Sequence, residues 1–201
     1  LGPLHPHLAS SMNNLANVKR AQGDLAQASQ LLFDSFTNDG RVNWWLQDPN
    51  GTTALSNASF AGSDSFDRGG NTVLNLGAGS YRLVVRANGD VTPSYAFRLL
   101  DLSAGTTIVT DATAGATLTE AGQATAIWHF DAAAFQRLQF HAISQGSGSL
   151  SWRLIDPSGN LVSGPNGWSD SGYMTMPSGG TYTLLVEGRV SNSQALAYSF
   201  S

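Results

Sequence analysis

The chain has 201 residues, 41% of them hydrophobic and only 12% charged, with 22 Gly, no Cys and a formal net charge of −4. The absence of Cys excludes a disulfide framework, a thiolate metal site and a thiol nucleophile, and an acidic balance without a basic run argues against nucleic acid as the main partner. The hydrophobic fraction is too high for a disordered chain, and no run approaches the roughly 18 apolar residues that cross a membrane as a helix.

Residues 1–36 carry a helical period. Leu8, Met12, Leu15, Ala16 and Val18 form one run, and Leu25, Ala28, Leu31 and Leu32 a second. Gly23 suits the end of the first helix and Asp24 the cap of the next. The spacing predicts an α-helical hairpin. On Leu1-Gly2-Pro3, His5-Pro6, Asn13-Asn14-Leu15-Ala16 and Gln22 through Ala28 it resembles one tetratricopeptide repeat of the kinesin-light-chain type. Lys19 and Leu25 depart from that pattern, which usually has aromatics there. About three stacked copies are needed to bury a continuous core, so one copy implies a cap packed on the adjoining strands or the end of an array. The chain opens on Leu1 with no signal-peptide pattern, as a piece of a longer protein would.

From about residue 40 the period becomes two. Val42, Trp44 and Leu46 alternate with polar or outward positions, as do Tyr81, Leu83 and Val85, then Tyr95, Phe97 and Leu99. Further along come Trp128 and Phe130, Leu138 and Phe140, Leu150, Trp152 and Leu154, then Tyr182, Leu184 and Val186, and last Tyr198 and Phe200. These predict short half-buried strands. Asp48-Pro49-Asn50-Gly51, Asn88-Gly89-Asp90, Asp156-Pro157-Ser158-Gly159 and Pro177-Ser178-Gly179-Gly180 carry turn chemistry between them.

The strands repeat. Residues 44–51 match 152–159 at an offset of 108, Gly79–Val85 match Gly180–Val186 at 101, and Tyr95-Ala96-Phe97 matches Tyr198-Ser199-Phe200 at 103. Three blocks in one order indicate tandem duplication. The copies are unequal, because strands near 116–118 and 126–130 have no counterpart in the first. The first unit should therefore be open along an edge, and proteins cover such edges. The hairpin, a strand of the second unit or a strand from another molecule would each serve.

Gly179 through Gly188 followed by Tyr198-Ser199-Phe200, with the Ala126–Phe140 stretch, resembles bacterial pre-peptidase C-terminal domains, over residues 104–201 and in part over 40–101. The resemblance implies non-catalytic jelly-roll modules of large secreted or surface proteins, acting as spacers or binding surfaces, polysaccharide or protein.

Catalytic constellations are missing: no nucleophile elbow, zincin motif, phosphate loop or dinucleotide fingerprint occurs. His5 and His7 precede the first helix; His129 and His141 read as strand residues, with Asp131 the only acid that would join them on a metal. Asp64 and Asp67 share one loop, where carboxylates and carbonyls would suit calcium. Asp48 and Asp156 read instead as turn residues. Among the Trp residues, Trp44 and Trp152 fall on the core phase. Trp45, which matches Arg153, should face outward, and Trp168 lies in a Gly-rich loop; these two are the candidates for a sugar-stacking or protein-binding surface.

The expected fold is mainly β: two tandem jelly-roll or β-sandwich units, the first incomplete, with an N-terminal α-helical hairpin. The expected domains are residues 1–36, 37–103 and 104–201. The expected function is a non-enzymatic structural or adhesive module of a secreted or cell-surface bacterial protein, meeting protein or polysaccharide. The alternatives are an accessory binding module of a secreted hydrolase and a filament subunit that self-associates by strand donation. No cofactor is called for, calcium being the one candidate ion.

Overall fold

The computed structural model describes residues 29–201 apart from Pro49, Val91, Glu120 and Ala121. The strands fall into two groups. In the first, β2 (Val42–Gln47) lies between β3 (Thr53–Ser59) and β5 (Arg82–Ala87), and β1 (Ser29–Ser35) lies between β4 (Val73–Leu76) and β6 (Phe97–Asp101). In the second, the larger sheet has the order β13 (Leu161–Gly167), β12 (Leu150–Ile155), β15 (Gly180–Gly188), β9 (Thr125–Ala132), β7 (Thr106–Thr107). Facing it are β11 (Ala142–Gln145), β16 (Leu196–Phe200) and β8 (Ala114–Leu118), with a short ladder between β10 (Arg137–Leu138) and β14 (Met174–Thr175). Pairing is antiparallel except between β7 and β9.

β1 corrects the sequence reading. The second predicted helix runs through Leu31 and Leu32, yet these residues sit on a strand paired with β4 and β6. A run such as Leu31-Leu32-Phe33 has no decisive period of its own. Here it is apolar on both faces because both are covered: Leu31 and Phe33 join the core shared with β2, while Leu32 joins an apolar cluster shared with the second group. The rest of the predicted hairpin, residues 1–28, lies outside the described residues.

Three apolar layers hold the sheets in a stack. Between the two sheets of the first group, the Phe33 ring stacks on Trp44 at 3.9 Å and on Phe97 at 4.9 Å, with Phe60 edge-on at 5.2 Å. Between the sheets of the second group, Phe140 lies 4.6 Å from Trp152, and Trp128 Nε1 donates to the Tyr198 hydroxyl at 2.9 Å. Between the groups, Leu32, Leu102, Ile155 and Leu185 are buried together. β12 is consequently buried along its whole length and β15 from Tyr182 onward. The half-buried strands expected from alternation are, at these two places, strands of an interior sheet.

The repeated sequence blocks have repeated geometry. Trp44 pairs with Val85 and Trp152 with Val186, and both Trp-bearing strands break register with their hairpin partner at the same two steps. The turns after them also match. Asp48 accepts from the Asn50 and Thr52 amides at 2.9 and 2.8 Å, and Asp156 from those of Ser158 and Asn160, both at 2.8 Å. Gly51 and Gly159 complete them at φ +80° and +82°. The edges differ. β15 and β16 each have two partners, whereas β5 and β6 each have one among the described residues. The second group covers a face of the β4-β1-β6 sheet and adds no strand to either edge.

Candidate functional site

The junction between the strand groups gathers the buried charges. Arg153 on β12 and Glu187 on β15 point away from the Trp152 core, and neither is exposed. Arg153 Nη1 donates to both carboxylate oxygens of Glu187, and Nη2 donates to the carbonyl of Ser65 at 2.6 Å and to that of Arg68. The loop carrying Ser65 and Arg68 thus reaches from the first group onto the second. On the same face of β1, Asp34 accepts from Arg98 Nε at 2.6 Å, from the Thr125 hydroxyl at 2.8 Å and from the Thr125 amide at 3.2 Å. Arg98 Nη2 closes the ring on the Thr125 carbonyl at 2.8 Å.

Asp34 thus holds Arg98 and Glu187 holds Arg153, while a third buried carboxyl, Asp64, accepts from the Ser35 amide. Burial lifts Glu187 to about 7 against the pull of Arg153. Burial also raises Asp34, with Arg98 opposing it. Asp64 is raised well above the usual range by burial and by the nearby Asp34 charge, while the Ser35 amide donates to it at 2.5 Å. The hydrogen bonds of this cluster to Thr125, Ser65 and Arg68 cross between the two groups.

The candidate calcium ligands Asp64 and Asp67 are each engaged by another group. Asp64 is buried against Ser35, whereas Asp67 takes a two-pronged contact from Arg189 at 2.8 and 2.6 Å. Among the described residues, no three His, Cys, Asp or Glu side chains gather as a metal site. His129 Nε2 lies 2.7 Å from the Leu102 carbonyl and His141 Nδ1 lies 2.8 Å from Asp170, while Asp131 accepts from the Thr181 hydroxyl at 2.7 Å.

The two Trp candidates belong to opposite ends of the stack. Trp45 is half-buried on β2, across from Val84 and on the face away from the Phe33–Trp44 core. Its counterpart Arg153 faces the junction instead of solvent. Trp168 lies edge-on to Phe140 and Tyr198 at 5.4 and 5.3 Å, and its Nε1 donates to the Ser144 carbonyl at 3.0 Å. It closes the side of the second core.

Two surface features carry no sequence signal of their own. Phe135 is 77% exposed at a φ of +63°, in a loop braced by its amide donating to the Met176 carbonyl at 2.8 Å. A non-Gly residue held in this region stores strain that only its surroundings maintain. The second feature is a cavity of about 360 Å³ between the sheets of the second group. Phe130, Phe140, Trp152, Leu154, Leu184 and Phe200 line it, and Val109, Arg137 and Tyr173 stand at its rim. The Arg137 guanidinium lies 4.9 Å from the centre of the Tyr173 ring.

No protein-family model and no curated protein matches this sequence. Among solved structures, the chain is similar to the pre-peptidase C-terminal domain of a Bacillus anthracis collagenase, at 19% identity and a TM-score of 0.40, over 48% of this chain and 92% of that one. It is also similar to PliG of Aeromonas hydrophila, a periplasmic inhibitor of g-type lysozyme, at 15% identity and a TM-score of 0.39, over 47% of this chain and 92% of that one. The Salmonella Typhimurium PliG matches at 17% identity and a TM-score of 0.34, over 48% of this chain and 97% of that one.

Proposed function

We propose that the chain is a non-catalytic module of an exported protein, built from two tandem β-sandwich units and acting as a rigid spacer that presents a binding surface to protein or polysaccharide. The observation that supports it is the buried junction, where Asp34 and Arg98 of the first strand group bond Thr125 of the second, and Arg153 of the second bonds the Ser65 carbonyl of the first. Domains joined by a flexible linker move independently by default. A buried, hydrogen-bonded junction holds the two in one orientation, which is what a spacer requires. Sparse charge and the absence of Cys suit an extracellular or cell-surface setting. Phe135, Trp45 and Trp168 are the aromatic positions from which a binding surface would be built.

Amide ¹⁵N relaxation on the whole chain tests the spacer reading. One rotational correlation time for residues on β2 and on β12 is expected. Two distinct times would overturn it.

A second reading, strand-donated self-association, draws on the outer edges of β5 and β6, which no described residue pairs. Free edges template the pairing of another chain. Light scattering at rising concentration should then show rising mass, and a constant monomer mass would rule it out.

A further inference from the structure

We propose that the cavity of the second sandwich is a binding site for a small, uncharged, largely apolar molecule carrying one hydrogen-bond acceptor, which it presents to Trp152 Nε1. Trp152 is 1% exposed, and its Nε1 is buried without an acceptor from the protein. The other interior indoles are satisfied: Trp44 Nε1 donates to Ser63 Oγ at 2.6 Å and Trp128 Nε1 to the Tyr198 hydroxyl at 2.9 Å. The comparison with Trp44 is the telling one. The two residues hold equivalent places in the repeat, with equivalent partners on the neighbouring strand. Only Trp152 lacks its acceptor, and only Trp152 borders the cavity. Buried donors are almost always paired, and an unpaired one calls for an explanation.

The size and lining choose the ligand class. About 360 Å³ falls within the range of small-molecule pockets, at its lower end. The walls are aromatic and aliphatic, so the body of the molecule is apolar. The rim carries charges of both signs, Arg137 and Asp111, while the His141 ring is engaged by Asp170. Neither an anion nor a cation is favoured by that pair, which points to a neutral molecule with a carbonyl-type acceptor. Val109 and Tyr173, 75% and 68% exposed, flank the entrance.

The test uses the full chain labelled with ¹⁵N at its indoles, titrated with acetophenone and, separately, with ethylbenzene. The second probe has a methylene in place of the carbonyl. Acetophenone should move the Trp152 indole N–H resonance downfield in a saturable way, and ethylbenzene should perturb cavity methyls such as those of Leu184 without that downfield shift. Leu138→Trp, which fills the cavity from its half-buried rim, should weaken acetophenone binding at least tenfold. A Trp152 resonance that acetophenone leaves unmoved would overturn the proposal and mark a resident water as the partner of Nε1. A saturable shift that Leu138→Trp leaves unchanged would also overturn it, by placing the probe elsewhere. The wild-type titration needs no variant to fold.

Discussion

Arg153 grips Glu187 across neighbouring strands with one guanidinium nitrogen, and with another it holds the carbonyls of Ser65 and Arg68 from the first strand group. One side chain thus satisfies a buried carboxylate and fastens a loop that would otherwise lie loose on the sheet.

Removing one member leaves the other buried and uncompensated. Arg153→Met should cost about 3–5 kcal/mol in denaturant unfolding. Adding Glu187→Leu to it should restore part of that loss, because the orphaned carboxylate is gone. A double variant as unstable as the sum of the two singles would show that the pair is not coupled.

The buried acids set the sign of the pH dependence. Glu187 is raised from an ordinary 4.5 to about 7 in the folded chain, so folding takes up a proton between those values. Its contribution to stability is complete below about 4.5 and is lost as pH rises through about 7. Asp34 and Asp64 are raised too and act in the same direction. The thermal midpoint should therefore be higher at pH 5 than at pH 8. Glu187→Gln should flatten this slope, and a midpoint that climbs toward pH 8 would contradict the assignment.

Two glycines in matching turns should respond differently to Ala. Gly51 and Gly159 both sit near φ +80°, where an L side chain costs roughly 1–2 kcal/mol. A Cβ at Gly51 meets nothing within 4 Å, whereas at Gly159 it meets Asn75 Oδ1, and Gln30 Nε2 at 2.7 Å. The Gly159 carbonyl also accepts from Asn71 Nδ2 at 2.8 Å, across the junction. Gly159→Ala should be the more destabilising of the two by calorimetry; equal losses would mean that the turn does not bear on the first group.

Calcium should leave the fold unmoved. A site at a hundredfold excess of ligand over its dissociation constant would add about 2.7 kcal/mol. Asp67 is instead engaged by Arg189 in a partly exposed pair, worth roughly 0–1 kcal/mol. Melting curves with millimolar calcium and with chelator should coincide, and Asp67→Ala should shift them little. A calcium-dependent rise in melting temperature would place an ion in this loop after all.

Much of the β architecture was legible because its signals are local. Alternation of Trp44 and Leu46, or of Trp152 and Leu154, marks the side of a strand that faces a core. Asp48 and Asp156 announce their turns because the carboxylate bonds the amides just beyond it. The site was less legible. Asp34 and Glu187 carry no sequence signal, since a single acid on a strand reads like any solvent-facing residue. Trp45 reads as outward because it matches a charged residue, Arg153, yet Arg153 itself is buried. The cavity had no signal, because its walls are the same residues that identify the core.

The sequence by itself determined that Trp44, Trp152, Leu184 and Phe200 lie on strands and face a core, and that Asp-led turns follow the two Trp-bearing strands. These follow from periodicity and turn chemistry, which act over a few neighbours. Only the tertiary structure decided that Leu31 and Leu32 belong to a strand, that β12 and β15 are covered on both faces, and that Arg153 is buried where Trp45 is not. Those outcomes depend on which surfaces meet across a hundred residues of chain, and no local period encodes that meeting.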